Sequence, residues 1–124
     1  MARRHFLFVA GLMAMFFGGA MLLAPDQMLT NMAVDTPGAE RVLQWMGVPL
    51  LAIGFINIGS RHDEGSVALR AVMLGNIVLH VIGFGIDVYG YMHQFVQTSG
   101  VIMGGIVHGL LTAGFAYYLA KLPR

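Results

Sequence analysis

Long apolar stretches and short polar breaks alternate along the chain. Four stretches, Phe6–Ala24, Val42–Ser60, Ala68–Tyr91 and Val101–Leu119, each approach the roughly 20 residues a helix needs to cross a bilayer. The breaks are chemically distinct. Pro25-Asp26 ends the first stretch, and Asp35-Thr36-Pro37-Gly38 is a turn signal before the second. Arg61-His62-Asp63-Glu64-Gly65, a solvated charge run, separates the second from the third, and His93-Gln94 to Thr98-Ser99-Gly100 separates the third from the fourth. In residues 26–34, Met28, Leu29 and Met32 fall at helical spacing, which predicts a short helix on the outer membrane surface, capped by Asp26. The four spans leave too little chain for a second domain, so residues 1–124 read as a single membrane domain.

Inside the spans the informative residues are small or polar, because lipid tails are as apolar as leucine and spanning helices associate by close packing and polar contacts. Gly11, Ala14 and Gly18 follow a three-then-four step in span one, and Gly47, Leu50, Gly54, Asn57 and Arg61 do so in span two. Span three carries Asn76, His80, Gly83, Asp87 and Gly90; span four carries Val101, Gly105, His108 and Thr112, with Gly104 and Gly109 alongside. A period near 3.5 predicts an all-α four-helix membrane bundle with left-handed packing and crossing angles of about 20°. Gly11, Gly18, Gly47, Gly54, Gly83 and Gly105 are its expected packing positions.

Composition and charge sharpen the class. Of the 124 residues, 57% are apolar and 10% charged, against roughly 25% charged in an average soluble domain. The seven Lys and Arg nearly cancel the six Asp and Glu, so there is no basic field to hold nucleic acid. The absence of cysteine excludes disulfides, thiol redox chemistry and cysteine-ligated zinc or Fe–S centres. Arg3, Arg4, Arg61, Arg70, Lys121 and Arg124 fall on one side of a four-span layout and Arg41 alone on the other, which places both termini in the cytoplasm. The expected location is the bacterial inner membrane. Arg3-Arg4-His5-Phe6-Leu7 resembles a twin-arginine export signal, but the run after it has the length of a full span rather than the roughly 7–15 residues of a signal core. Pro25 also follows the one small residue, Ala24, at which cleavage could occur, so the segment is expected to stay as span one.

Asp87 is the one acidic or basic residue lying away from the tails, loops and span ends. His80 stands near the middle of span three, and His108 somewhat nearer the outer side in span four. Neighbouring antiparallel helices would bring the two histidines within about 5 Å in depth. Intramembrane ionisable residues are rare and face the interior. His80, His108, Asp87, Asn76, Asn57 and Thr112 are therefore the candidates for a polar network or a ligand site. A network would fix helix register. Paired histidines would also suit haem b, with Gly83, Gly104 and Gly105 making room for the macrocycle. An Asp87, His80 and Asn76 file would suit proton or ion transfer, and a quinone beside His108 fits the same residues. No cofactor is expected as the first reading. Ten methionines raise copper, since thioethers prefer Cu(I), yet there is no compact Met-x-Met run and methionine is an ordinary apolar filler. No G-x-S-x-G, H-E-x-x-H or phosphate loop is present, and no enzyme is expected.

The run Leu22-Leu23-Ala24-Pro25-Asp26, the run Arg41-Val42-Leu43-Gln44-Trp45-Met46-Gly47-Val48-Pro49, and Arg70, Asn76, His80 and Asp87 resemble in layout the small bacterial four-span proteins that include the DoxX-like group. The resemblance covers nearly the whole chain and carries over no activity. The functional expectation is a non-catalytic structural or accessory subunit. It would sit in the lipid bilayer and pack against itself or a larger membrane complex, respiratory or photosynthetic. The alternative is a redox or proton-transfer protein built on His80, His108 and Asp87.

Overall fold

A computed structural model describes residues 2–31, 36–94 and 98–123, with the side chains of 31 and 98–101 left aside. Met32 and Asp35, the charge of Arg124 and the side chain of Val101 lie outside what is described. Among the described residues there are five α-helices and no strand: α1 (Arg3–Leu23), α2 (Pro25–Asn31), α3 (Ala39–Gly59), α4 (Val67–Met92) and α5 (Thr98–Ala120), with a 3₁₀ turn at Ser60–His62. The four long helices are long and apolar enough to cross a membrane. They are compatible with a membrane helical bundle and point to a membrane protein.

Each expected span is a helix, and each helix starts one to three residues before its apolar stretch. α3 starts at Ala39, with Glu40 in a first turn whose partial positive charge favours an acid. α5 begins at Thr98, inside what reads as a break. Helix continues past the apolar limit because every further turn satisfies backbone donors and acceptors that would otherwise face the membrane edge unpaired. The short helix α2 forms, but Asp26 does not cap it. Met28 N–H donates to the Ala24 carbonyl at 3.2 Å, so Ala24 is the cap and Pro25 takes the first helical position. Proline's missing N–H costs nothing there. Asp26 lies in the first turn, and its carbonyl accepts from the Thr30 hydroxyl at 2.8 Å.

The chain divides into two compact units, Met1–His62 and Asp63–Arg124. In the first, α1 and α3 run antiparallel and meet at two glycine pairs. A Cβ built on Gly11 would stand 2.8 Å from the Gly54 carbonyl oxygen, and one on Gly54 would stand 2.8 Å from that of Gly11. One turn pair away, a Cβ on Gly18 would meet the Gly47 oxygen at 2.9 Å, and the reverse distance is 2.7 Å. All four glycines are buried. The backbones touch here, as small-residue interfaces allow. Leu7, Ala10, Leu43 and Asn57 complete the buried face. The Gln44 amide donates to the Leu22 carbonyl at 3.3 Å, serving a group in the last turn of α1 that has no intrahelical partner. Gly38 enters α3 at φ +83°, a backbone conformation other residues rarely adopt. Pro49 is accommodated inside α3.

In the second unit, α4 and α5 are antiparallel. Ser66 caps α4, its hydroxyl accepting from Leu69 N–H at 3.1 Å. The Asp63 carboxylate accepts from Gly65 N–H and Ser66 N–H, each at 2.9 Å. Arg70 donates through Nη2 to the carbonyls of Pro123 and Leu122, tying the start of α4 to the end of α5. Leu69, Met73, Phe115 and Leu122 are buried. Large apolar side chains point away from the hairpins: Phe16 and Trp45 are each 70% exposed and Leu110 69%. That is how a lipid-facing surface is built.

Candidate functional site

The second unit gathers the ionisable residues that the sequence places in spans three and four. On α4, Asn76, His80, Gly83, Asp87 and Gly90 recur at three- and four-residue steps, so they share the face turned to α5. The antiparallel register sets Gly83 against His108 and Asp87 against Gly104. His80 Nδ1 and His108 Nδ1 are hydrogen-bonded at 3.0 Å. On the other edge of the His108 ring, Nε2 stands 3.7 Å from Asp87 Oδ2. The three side chains form one line, Asp87–His108–His80, with His108 hydrogen-bonded through Nδ1 and facing the Asp87 carboxylate, beyond hydrogen-bond distance, through Nε2.

Two glycines make the line possible. A Cβ on Gly83 would come within 2.8 Å of His108 Cε1 and 2.9 Å of its Nε2, so the ring lies on bare backbone. A Cβ on Gly104 would collide with the Asp87 carboxylate. Gly105, the expected packing glycine of span four, instead faces the Phe84 ring, its nearest carbon 3.1 Å from a built Cβ. At the far end of the line Phe115 stacks on His80, with ring centres 6.0 Å apart and planes 21° from parallel. Phe115 is fully buried and His80 nearly so, while the Asp87 and His108 side chains are 28% and 25% exposed. The line therefore runs from a half-open end at Asp87 to a closed end at His80.

Asn76 is buried one turn beyond His80 and donates its amide to the Val72 carbonyl at 2.8 Å. Thr112 is half-buried on α5, one turn from His108. Asn57 is buried in the other unit, on α3. The residue that sequence reasoning missed is Phe115. Its signal was the step itself: His108, Thr112 and Phe115 continue the stripe by four and then three, but an aromatic ring does not register in a search for small and polar positions.

Chemically the line is a two-ended imidazole. When Asp87 is ionised, His108 carries its proton on Nε2 and its Nδ1 accepts from His80 Nδ1–H. When Asp87 is protonated it faces an unprotonated Nε2, and His108 Nδ1–H donates to His80. From the second arrangement, movement of the Asp87 proton to His108 Nε2 together with the His108 Nδ1 proton to His80 would leave Asp87 ionised and His80 doubly protonated. Direct contact between the histidine rings, whose centres lie 5.2 Å apart, leaves no gap for a macrocycle between them. Among the described residues no group of three or more His, Asp and Glu side chains is disposed to hold a metal ion. No family model, curated protein or solved structure matches the chain.

Proposed function

We propose that this chain is a small integral membrane protein that transfers protons along Asp87, His108 and His80. The observation that carries the reading is the use of both His108 nitrogens, Nδ1 by His80 at 3.0 Å and Nε2 by Asp87 at 3.7 Å. An imidazole with an ionisable group facing each edge can accept a proton on one nitrogen and release one from the other. A residue serving as packing glue needs one such contact. The ionisable pair, set in a spanning hairpin, is the arrangement in which intramembrane charge marks a proton path. The uneven distribution of Lys and Arg supports a bacterial inner-membrane location with both termini cytoplasmic. The seven-residue spacing of Gly11 to Gly18 and Gly47 to Gly54 supports left-handed packing, and α2 suits a place on the outer surface.

The test is proton flux into vesicles carrying the purified protein and an internal pH-sensitive dye. Asp87→Asn and His108→Phe should each lower the flux at least tenfold while helix content stays unchanged. Equal flux in wild type and Asp87→Asn would overturn the reading.

A second reading, an accessory subunit packed against itself or a larger membrane complex, is favoured by a separate observation. Cβ atoms built on Gly19, Gly59, Gly75, Gly85 and Gly109 would meet nothing within 4 Å. Glycines that face outward from spanning helices let another helix approach closely. Crosslinking in native membranes should then capture a neighbour, and a chain that stays monomeric with no crosslinked neighbour would dismiss this reading.

A further inference from the structure

The first unit carries a basic cleft that the proton line does not use. Arg4, His5 and Phe8 of α1 and Arg61 and His62 of the 3₁₀ turn line a space of about 300 Å³. Antiparallel packing brings them together, because the start of α1 and the end of α3 lie at the same end of the hairpin. Arg61 is held in place from three sides. Its Nη1 donates to the Ile58 carbonyl at 3.2 Å, its Nε donates to His62 Nε2 at 3.1 Å, and its guanidinium carbon lies 5.6 Å from the centre of the Phe8 ring. Two of its five N–H donors are spent in this way, and the rest are free for an anion. Among the described residues no acidic side chain lines the cleft. The nearest acid in sequence, Asp63, has its carboxylate taken up by Gly65 N–H, Ser66 N–H and the Ser66 hydroxyl.

We propose that this cleft binds the phosphate headgroup of an anionic membrane lipid. Two observations select a lipid over a soluble anion. The cleft stands at the end of two helices long and apolar enough to cross a membrane, the depth at which headgroups lie. One of its walls is Phe8, an exposed apolar ring on α1, and exposed Leu12 follows one turn further along the same face. That surface would take the acyl chain while Arg4 and Arg61 take the phosphate. Basic pockets between spanning helices recognise anionic headgroups by this division, and guanidinium forks suit phosphate oxygens in pairs.

The test uses the full chain in neutral detergent, with lipid retention read by native mass spectrometry. Wild type should retain phosphatidylglycerol in preference to phosphatidylcholine, and inorganic phosphate should not displace it. Arg4→Gln and Arg61→Gln should each lower the preference about fivefold, the weight of one basic residue near a membrane surface. Arg61→Lys, which keeps the charge and loses the fork, should fall between wild type and Arg61→Gln. Arg41→Gln, at the opposite end of α3, should leave it unchanged. Arg4 is exposed, so its variant remains informative even where Arg61→Gln unsettles the turn. Equal retention of the two lipids, an equal loss in Arg41→Gln, or displacement by inorganic phosphate alone would each overturn the proposal.

Discussion

The Nδ1 atoms of His80 and His108 lie 3.0 Å apart, so one ring donates and the other accepts. Which does which is set at the other edge of His108, where Nε2 faces Asp87 Oδ2 at 3.7 Å. An ionised carboxylate favours Nε2–H on His108, and that leaves Nδ1 as the acceptor from His80. Nitrogen-15 NMR of histidine-labelled protein should then show the Nε2–H tautomer at His108 and a protonated Nδ1 at His80. In Asp87→Ala the bias disappears and the two His108 tautomers become mixed. Tautomers unchanged by Asp87→Ala would show that the carboxylate does not set the direction of the pair.

Gly104 offers a way to disturb the line without removing any ionisable group. A methyl group at this position occupies the space of the Asp87 carboxylate, which must rotate away from His108. Gly104→Ala should lower proton flux about as far as Asp87→Asn does, with helix content retained. Gly109→Ala is the matched control on α5, since a Cβ there would meet nothing within 4 Å. Its flux should equal wild type. A Gly104→Ala variant with wild-type flux would mean that the approach of Asp87 to His108 has no part in transfer.

Adjacent glycines in α1 should respond in opposite ways. Gly18 lies against the backbone of α3, where a Cβ would meet Leu51 N at 2.7 Å and the Gly47 oxygen at 2.9 Å. Backbone cannot step aside as a side chain can, so Gly18→Ala should cost about 1–3 kcal/mol, the usual range for overpacking. Gly19 faces open space, and Gly19→Ala should be neutral or gain up to about 1 kcal/mol from helix propensity. Unfolding in mixed micelles, followed by helix content, measures both. Equal effects at the two positions would contradict the observed face of α1.

These responses show what the sequence could and could not reveal. The spans were legible because crossing a bilayer demands length and apolarity, and both are local properties. The packing glycines of the first unit were legible for a related reason: without a hydrophobic drive between helices, small residues at a regular step mark the contact. Asp87, His80 and His108 stood out because charge and imidazole are costly in an apolar run. Which atoms meet was not legible. Gly104 rather than Gly105 lies beneath Asp87, a difference of one residue that depends on the register of α5 against α4. Nothing local to either helix fixes that register. Phe115 escaped for a different reason, since an aromatic residue in a spanning helix looks like lipid-facing bulk until the ring it stacks on is known. The cap of α2 turned on a similar ambiguity: Asp26 is a good capping residue and also a good first-turn residue, and Pro25 before it decides for the second.

Orientation can be read directly, because the chain contains no cysteine and single cysteines can be introduced without a background. Ala2 and Lys121 flank the ends of α1 and α5, and Thr36 lies in the connection before α3. All three are exposed. Of the seven Lys and Arg, Arg41 alone falls on the side of Thr36 in a four-span layout, and basic residues are retained on the cytoplasmic side. In intact cells a membrane-impermeant maleimide should therefore label Thr36→Cys and spare Ala2→Cys and Lys121→Cys, which react once the membrane is opened. Labelling of Ala2→Cys and Lys121→Cys in intact cells, with Thr36→Cys protected, would reverse the orientation and put the basic cleft of the first unit on the outer face. Labelling of all three in intact cells would count against the four-span reading, since four crossings put both termini on the side opposite the connection that holds Thr36.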